Sequence, residues 1–173
     1  MNDPTDPLVA VCLDIERHVG ASGWDQPARL FALVPTRELL AAEPSLADAV
    51  GDREAREGAL TAVEQDEFHA GGDLVEDLAR IAWPDAVAGC ALSVERSFLP
   101  PSAEAGIPDD PDAAADYVAQ HPQKQDVRVV VAVTRAGGRH GVARLKESPA
   151  DLLGGADLVP GLARALARTL EAS

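Results

Sequence analysis

Hydrophobic residues recur at helical spacing in three stretches of the chain. Asp6 and Pro7 suit the cap and the first position of a helix. The apolar residues that follow return every three or four positions; they are Leu8, Val11, Cys12, Ile15 and Val19. A second stretch covers residues 73–82 and stops before Pro84, and a third covers residues 158–170. We predict a helix at each of the three.

Other stretches alternate apolar and polar residues or are apolar throughout, as β-strands do. They are residues 29–34, 86–98, 127–134 and 139–146. The last two are joined through Gly137 and Gly138, which predicts a β-hairpin. The apolar residues within 59–68 fit a period of two and a period of 3.6 equally well, and we favour a strand there.

The predicted elements favour a mixed fold with a mostly antiparallel sheet. Short helices are predicted over residues 37–42 and, capped by Asp112, over residues 112–120. Strands and helices do not alternate strictly and no repeat is present, which argues against a doubly wound parallel sheet. We expect a single α+β domain of residues 1–173, with about five strands and helices packed mainly on one face. The element order is similar to that of the small secretion-chaperone-like fold, a likeness of topology that transfers no function.

Composition and charge narrow the classes of function. Apolar residues make up 46% of the chain and aromatic residues only 3%, so we expect an aliphatic core. The 15 basic and 29 acidic residues give a net charge of −14, which argues against nucleic-acid binding. The apolar runs are shorter than the roughly 20 residues that a membrane helix needs, and the N-terminus is acidic rather than basic. We therefore expect a cytoplasmic protein without membrane association.

Motifs for metal, cofactor or nucleophilic chemistry are not recognisable in the sequence. Cys12 and Cys90 fall on predicted apolar faces and are expected to be buried thiols without a disulfide. The histidines are dispersed, and only Asp14 and His18 have the i, i+4 spacing of two ligands on a helix, fewer than zinc requires. The glycine pairs lack the spacing of phosphate-binding loops. We expect no catalytic residue, metal or cofactor.

Two groups of residues remain as candidate sites. The first is a basic face of the predicted hairpin, which fits an ordinary solvated surface and also a binding site for a small anion or an acidic partner segment. Its members are Arg128, His140, Arg144 and Lys146. The second is a ligand pocket beneath the Trp83-Pro84 corner, with Trp24 or Trp83 as an apolar wall and Arg96 as the charged group.

The first function that we expect is that of a non-enzymatic interaction or structural domain, because each long element has an apolar face and no reactive groups converge. Such a domain would form a homodimer or bind a protein partner through its sheet face or its terminal helix. The alternative is a small-ligand-binding or enzymatic domain that uses the pocket near Trp83 and Arg96.

Three segments of the chain carry a family resemblance. They are residues 23–27 (GWDQP) with residues 29–36 (RLFALVPT), residues 81–91 (IAWPDAVAGCA) and residues 158–162 (LVPGL). In these segments the chain resembles a family of uncharacterised actinobacterial proteins of unknown function. The resemblance extends over nearly the full length and implies no activity, cofactor or catalytic residue.

Overall fold

The most apolar segment of the chain, residues 129–133, lies in the middle of a six-stranded antiparallel sheet. The computed structural model describes residues 6–46, 59–66, 68, 74–99, 103, 105–155 and 158–171. The strands are β1 (Arg29–Pro35), β2 (Leu60–Glu64), β3 (Gly89–Phe98), β4 (Gln125–Thr134), β5 (Arg139–Leu145) and β6 (Ser148–Gly155), in the spatial order β2-β1-β3-β4-β5-β6. The predicted α+β class and antiparallel sheet are confirmed, with six strands where about five were expected.

Five helices complete the part of the fold that the structure describes. They are α1 (Pro7–Gly20), α2 (Thr36–Ala42), α3 (Leu74–Leu78), α4 (Pro111–Gln120) and α5 (Pro160–Glu171), with a single 3-10 turn at Pro44–Leu46. The predicted cap of α1 is confirmed, since Asp6 Oδ1 accepts a hydrogen bond from the Leu8 amide at 2.9 Å. The cap of α4 is Asp110 rather than Asp112, because Asp110 Oδ2 accepts from the Ala113 amide at 3.0 Å.

Helices cover both faces of the sheet, which corrects the expectation of helices mainly on one face. Helix α1 packs over β4 and β5, and its apolar residues share a core with Phe31, Ala91, Val130 and Val142. Helix α5 packs on the opposite face, where it contacts β3 and β4. The physical reason lies in the central strands, because an uninterrupted apolar run such as residues 129–133 buries side chains in both directions.

The boundaries of several elements differ from the predictions. Residues 59–68 do contain a strand, β2, at one edge of the sheet. Strand β6 forms the other edge and was not predicted, because its proline and two glycines are typical of turns; edge strands tolerate proline. Helix α3 ends at Leu78, four residues earlier than expected. Residue 73, where the second predicted helix begins, lies outside the described residues.

Among the described residues, none of the helices is both long enough and apolar enough to cross a membrane.

Candidate functional site

The basic residues of the β4–β5 hairpin lie on the face of the sheet that α1 covers. Arg128 and Arg144 are direct register partners, and His140 lies further along β5 on the same face. Arg128 is 3% exposed and His140 is 6% exposed, whereas Arg144 is half-buried and Lys146 is exposed. The predicted outer face is therefore an inner face at Arg128 and His140, because α1 docks on it.

A buried carboxylate on α1 joins the two arginines. Glu16 is 2% exposed, its Oε2 accepts from Arg128 Nη2 at 3.3 Å, and its Oε1 accepts from Arg144 Nε. Gly20, one helical turn later, gives the guanidinium room: a Cβ atom there would lie 2.9 Å from Arg128 Nη2. Helix α1 thus provides the charge that Arg128 requires through Glu16 and the space through Gly20.

Arg128 is incompletely satisfied for a buried cation. Besides its contact with Glu16, its Nη1 donates to the Gly23 carbonyl at a long distance of 3.4 Å. Its Nε is buried and has no hydrogen-bond partner, alone among the buried side-chain nitrogen and oxygen atoms that the structure describes. Leaving such a donor unpaired costs on the order of 1–3 kcal/mol. Because Nε is removed from solvent, an acceptor atom from a ligand would recover this cost only by displacing a side chain that covers it.

Trp24 covers the Arg128 guanidinium. The ring centroid of Trp24 lies 4.6 Å from Arg128 Cζ and 5.8 Å from Lys146 Nζ, within the range of cation–π contacts. The indole is half-buried. The structure therefore brings Trp24, predicted for one candidate site, together with Arg128, Arg144 and Lys146, predicted for the other.

The loop that carries Trp24 is held in place by hydrogen bonds from its backbone amides to a side chain of the sheet. Gly23 and Asp25 adopt positive φ angles of 85° and 65°, a conformation that few residues other than glycine accept readily. The Glu95 carboxylate on β3 accepts from the Asp25 and Gln26 amides, each at 2.9 Å. These contacts hold the two residues that follow Trp24 against β3, so the loop is positioned without a ligand.

Arg29 anchors the end of the same loop. It donates from Nε to Glu64 Oε2 at 2.7 Å and from Nη1 to Gln26 Oε1 at 2.9 Å. The hydrogen bond from Arg29 lowers the pKa of Glu64 below its ordinary value, because it stabilises the charged carboxylate. The loop is therefore tied to β1, β2 and β3 together.

An open cleft lies between α1 and the hairpin at this point. Its volume is about 450 Å³, within the range of small-ligand sites. The residues that line it combine cationic, apolar and aromatic side chains with one carboxylate; they are Leu13, Glu16, Arg17, Gly20, Trp24, Arg128, Arg144 and Leu152. We call this the Trp24 cleft. Guanidinium groups are cationic hydrogen-bond donors, so the groups on its walls suit the binding of an anion.

The residues of the predicted pocket at the Trp83-Pro84 corner do not converge. Trp83 is 7% exposed, belongs to the core under α5 and donates from Nε1 to Thr169 Oγ1 at 2.9 Å. Arg96 is exposed on β3. Trp24 lies across the sheet from Trp83, because it contacts Arg128 on the α1 face. In the structure Trp83 stabilises the packing of α5 instead of forming a ligand wall with Trp24 and Arg96.

The two cysteines are buried free thiols on opposite faces of the sheet, as expected for structural residues. Burial raises the pKa of Cys12 to about 12 and that of Cys90 to about 11, so both remain protonated and poorly nucleophilic. Over the described ranges of the chain, no three His, Cys, Asp or Glu residues form a group that could hold a metal ion.

Glu16 is one of the cleft residues that the sequence interpretation missed. Its position carried a usable signal, since it lies four residues after Cys12 and three before Val19, within the apolar stripe of α1. A charged residue within such a stripe needs a buried partner of opposite charge. The pairing itself depends on how α1 docks on the hairpin.

Comparison with known proteins gives a family and no closer relative. No curated protein and no solved structure matches the chain. The PPA1309-like protein family matches residues 8–171, nearly the whole chain, and includes all the residues that line the Trp24 cleft. The chain therefore belongs to the PPA1309-like protein family, which is uncharacterised.

Proposed function

We propose that the protein is a non-enzymatic binding domain that recognises an anionic group in the Trp24 cleft. One observation carries the proposal: the Arg128 guanidinium is buried, lines an open cleft and retains an N–H without an acceptor. A binding role, as opposed to acid–base catalysis, is supported by the permanent charge of the guanidinium groups. The cleft thereby combines the anion-binding role predicted for the hairpin with the ligand-binding role predicted for Trp24.

The packing of the long elements favours the cleft over the sheet face or the terminal helix as the interaction surface. The apolar side of α5 is buried against β3 and β4 through Leu162, Leu166 and Leu170. Helix α5 therefore presents polar residues such as Arg164 to solvent. A cytoplasmic location is part of the proposal and is supported by the two unpaired thiols. The homodimer and the protein partner stay predictions.

The two tryptophans give a direct test by nuclear magnetic resonance. The ¹⁵N-labelled protein is titrated with sodium benzoate and with sodium phosphate, each against sodium chloride of equal ionic strength. We expect the indole N–H signal of Trp24 to shift saturably in the millimolar range with at least one of the two anions. The Trp83 indole is buried and bonded to Thr169, so its signal serves as an internal control.

Two variants assign the effect to Arg128. Arg128→Met keeps the length of the side chain and removes the charge, so we expect it to abolish the saturable shift of Trp24. Arg96→Met removes an exposed arginine outside the cleft, and it should titrate like the wild type. If neither anion moves the Trp24 signal more than sodium chloride does, or if Arg96→Met loses the response as Arg128→Met does, the proposed function is wrong.

A further inference from the structure

The walls of the Trp24 cleft differ in chemistry, and the difference limits the kind of anion that fits. Arg128 supplies the charge, whereas Leu13 and Leu152 are partly buried hydrophobic residues that extend the core beneath α1 to the edge of the cleft. Trp24 adds an aromatic surface beside the guanidinium. A ligand that uses all of these groups needs an anionic head and an apolar body.

We propose that the ligand is a compact organic molecule with one carboxylate next to an apolar ring or short chain; this inference rests on the proposed function of the cleft. A carboxylate matches the planar fork of a guanidinium, and an oxygen that displaces the side chains covering Arg128 Nε supplies the acceptor that this atom lacks. The apolar body contacts Leu13, Leu152 and the Trp24 ring. A cleft of about 450 Å³ has room for a small molecule of this kind.

Glu16 restricts the charge of the ligand. Its carboxylate already lies 3.3 Å from Arg128 Nη2, so a second anion in the cleft must approach an existing negative charge. Glu16 repels a ligand with one negative charge less strongly than it repels a phosphate that carries two. The buried ion pair therefore favours a ligand that carries one negative charge.

The charge of the whole molecule disfavours a long polyanion. The net charge is −14, and electrostatic effects extend about 8 Å at physiological salt. A ligand confined to the cleft is dominated by the nearby Arg128 and Lys146. A chain of phosphates or an acidic polymer would extend beyond that distance over a surface rich in carboxylates. The observations thus favour a small carboxylate over nucleic acid or polyphosphate.

The test compares four probes on the wild-type protein, so it requires no variant. Sodium benzoate, sodium acetate, benzyl alcohol and sodium tripolyphosphate are titrated at constant ionic strength, and the Trp24 and Trp83 indole signals are followed. We expect benzoate to saturate the Trp24 shift at about a tenfold lower concentration than acetate, because its ring buries apolar surface. Benzyl alcohol and tripolyphosphate should produce no saturable shift in the same range.

A variant of the apolar wall adds a second measurement. Leu13 lies on α1 and is partly buried, and alanine preserves the helix at that position. We expect Leu13→Ala to weaken benzoate severalfold and to leave the acetate titration unchanged. A loss of both responses to the same degree would contradict the role of the apolar wall.

The outcomes separate this inference from the proposed function. Equal affinities for benzoate and acetate, or saturation by benzyl alcohol at the benzoate concentration, would overturn the inferred ligand class. Tighter binding of tripolyphosphate than of benzoate would also overturn it, yet it would leave anion recognition in the cleft intact. A Trp24 signal that responds to none of the anions would remove the proposed function itself.

Discussion

Glu16 allows two arginines to lie side by side within the sheet. Arg128 and Arg144 are register partners on β4 and β5, and like charges placed directly opposite each other destabilise a strand pair. The Glu16 carboxylate bridges both guanidinium groups, one through each oxygen. Because Glu16 and Arg128 are almost fully removed from water, loss of either partner leaves a buried charge without compensation.

We expect Glu16→Gln to lower the free energy of unfolding by about 3 kcal/mol, since the substitution retains the shape of the side chain and removes its charge. Urea denaturation followed by circular dichroism measures the change. The matched control is Arg17→Gln, at the next residue of α1, where the side chain is 77% exposed. We expect this substitution to change the free energy of unfolding by less than about 0.5 kcal/mol. Equal losses in the two variants would show that the buried pairing contributes no stability.

Individual residues of the cleft were predictable to different degrees. The alternation along the hairpin placed Arg128, His140 and Arg144 on one face, which the structure confirms. Whether that face meets water depends on where α1 docks. Arg128 and Glu16 are 112 residues apart in the chain, so local periodicity carries no information about their pairing. The same limit explains why Trp24 and Arg128 were assigned to different sites.

Arg135 connects α5 to the segment that leads into β3. It follows β4, and its guanidinium donates to the carbonyl groups of Val87 at 2.7 Å, Leu170 at 2.9 Å, Pro84 at 3.1 Å and Trp83 at 3.3 Å. The contact with Leu170 satisfies a carbonyl at the end of the helix, where a positive charge also interacts favourably with the helix dipole. A single exposed residue thus holds the helix C-terminus against the segment before β3.

We expect Arg135→Gln to destabilise the protein by about 2 kcal/mol, because several charge-assisted hydrogen bonds are lost together. Hydrogen exchange should show faster exchange in the last turn of α5, and denaturation gives the free energy. Arg164→Gln, on the exposed side of α5, is the control and should leave both measurements near wild type. Unchanged exchange at the end of α5 in Arg135→Gln would contradict the connecting role.

Elements with strong periodicity were predicted more completely than weakly patterned ones. Helix α1, the β4–β5 hairpin and α5 follow their apolar patterns closely, since one side of each is determined by burial. Strand β6 was missed because an edge strand buries little, and its residues resemble a turn. The local pattern of apolar residues therefore predicts which side of an element is buried, but it does not predict where a strand lies in the sheet.

At the scale of the whole molecule, charge and layering determine how the protein responds to its surroundings. The continuous apolar run in β4 is buried on both faces, which requires the two helical layers that the sequence interpretation did not expect. The net charge of −14 implies repulsion among carboxylates, which acid relieves. Any pH effect from one residue is superimposed on this background, so it must be measured against a variant with nearly the same net charge.

His140, buried under α1, provides such a measurement. Burial lowers the pKa of His140 below its ordinary value of 6.5, because the charged form is poorly solvated there. The unfolded chain therefore takes up a proton near pH 6.5 while the folded protein resists it. The contribution of His140 to stability is complete above that pH and is lost as the pH falls toward the lower value of the folded state.

We expect the wild type to lose stability relative to His140→Gln when the pH falls from about 7.5 to about 5.5, with a slope of at most about 1.4 kcal/mol per pH unit. The glutamine does not titrate, so the charge background cancels when the two stability curves are subtracted. Urea denaturation at a series of pH values gives both curves. Above pH 7 their difference should be constant, and parallel curves across the whole range would mean that His140 binds a proton equally well in the folded and unfolded states.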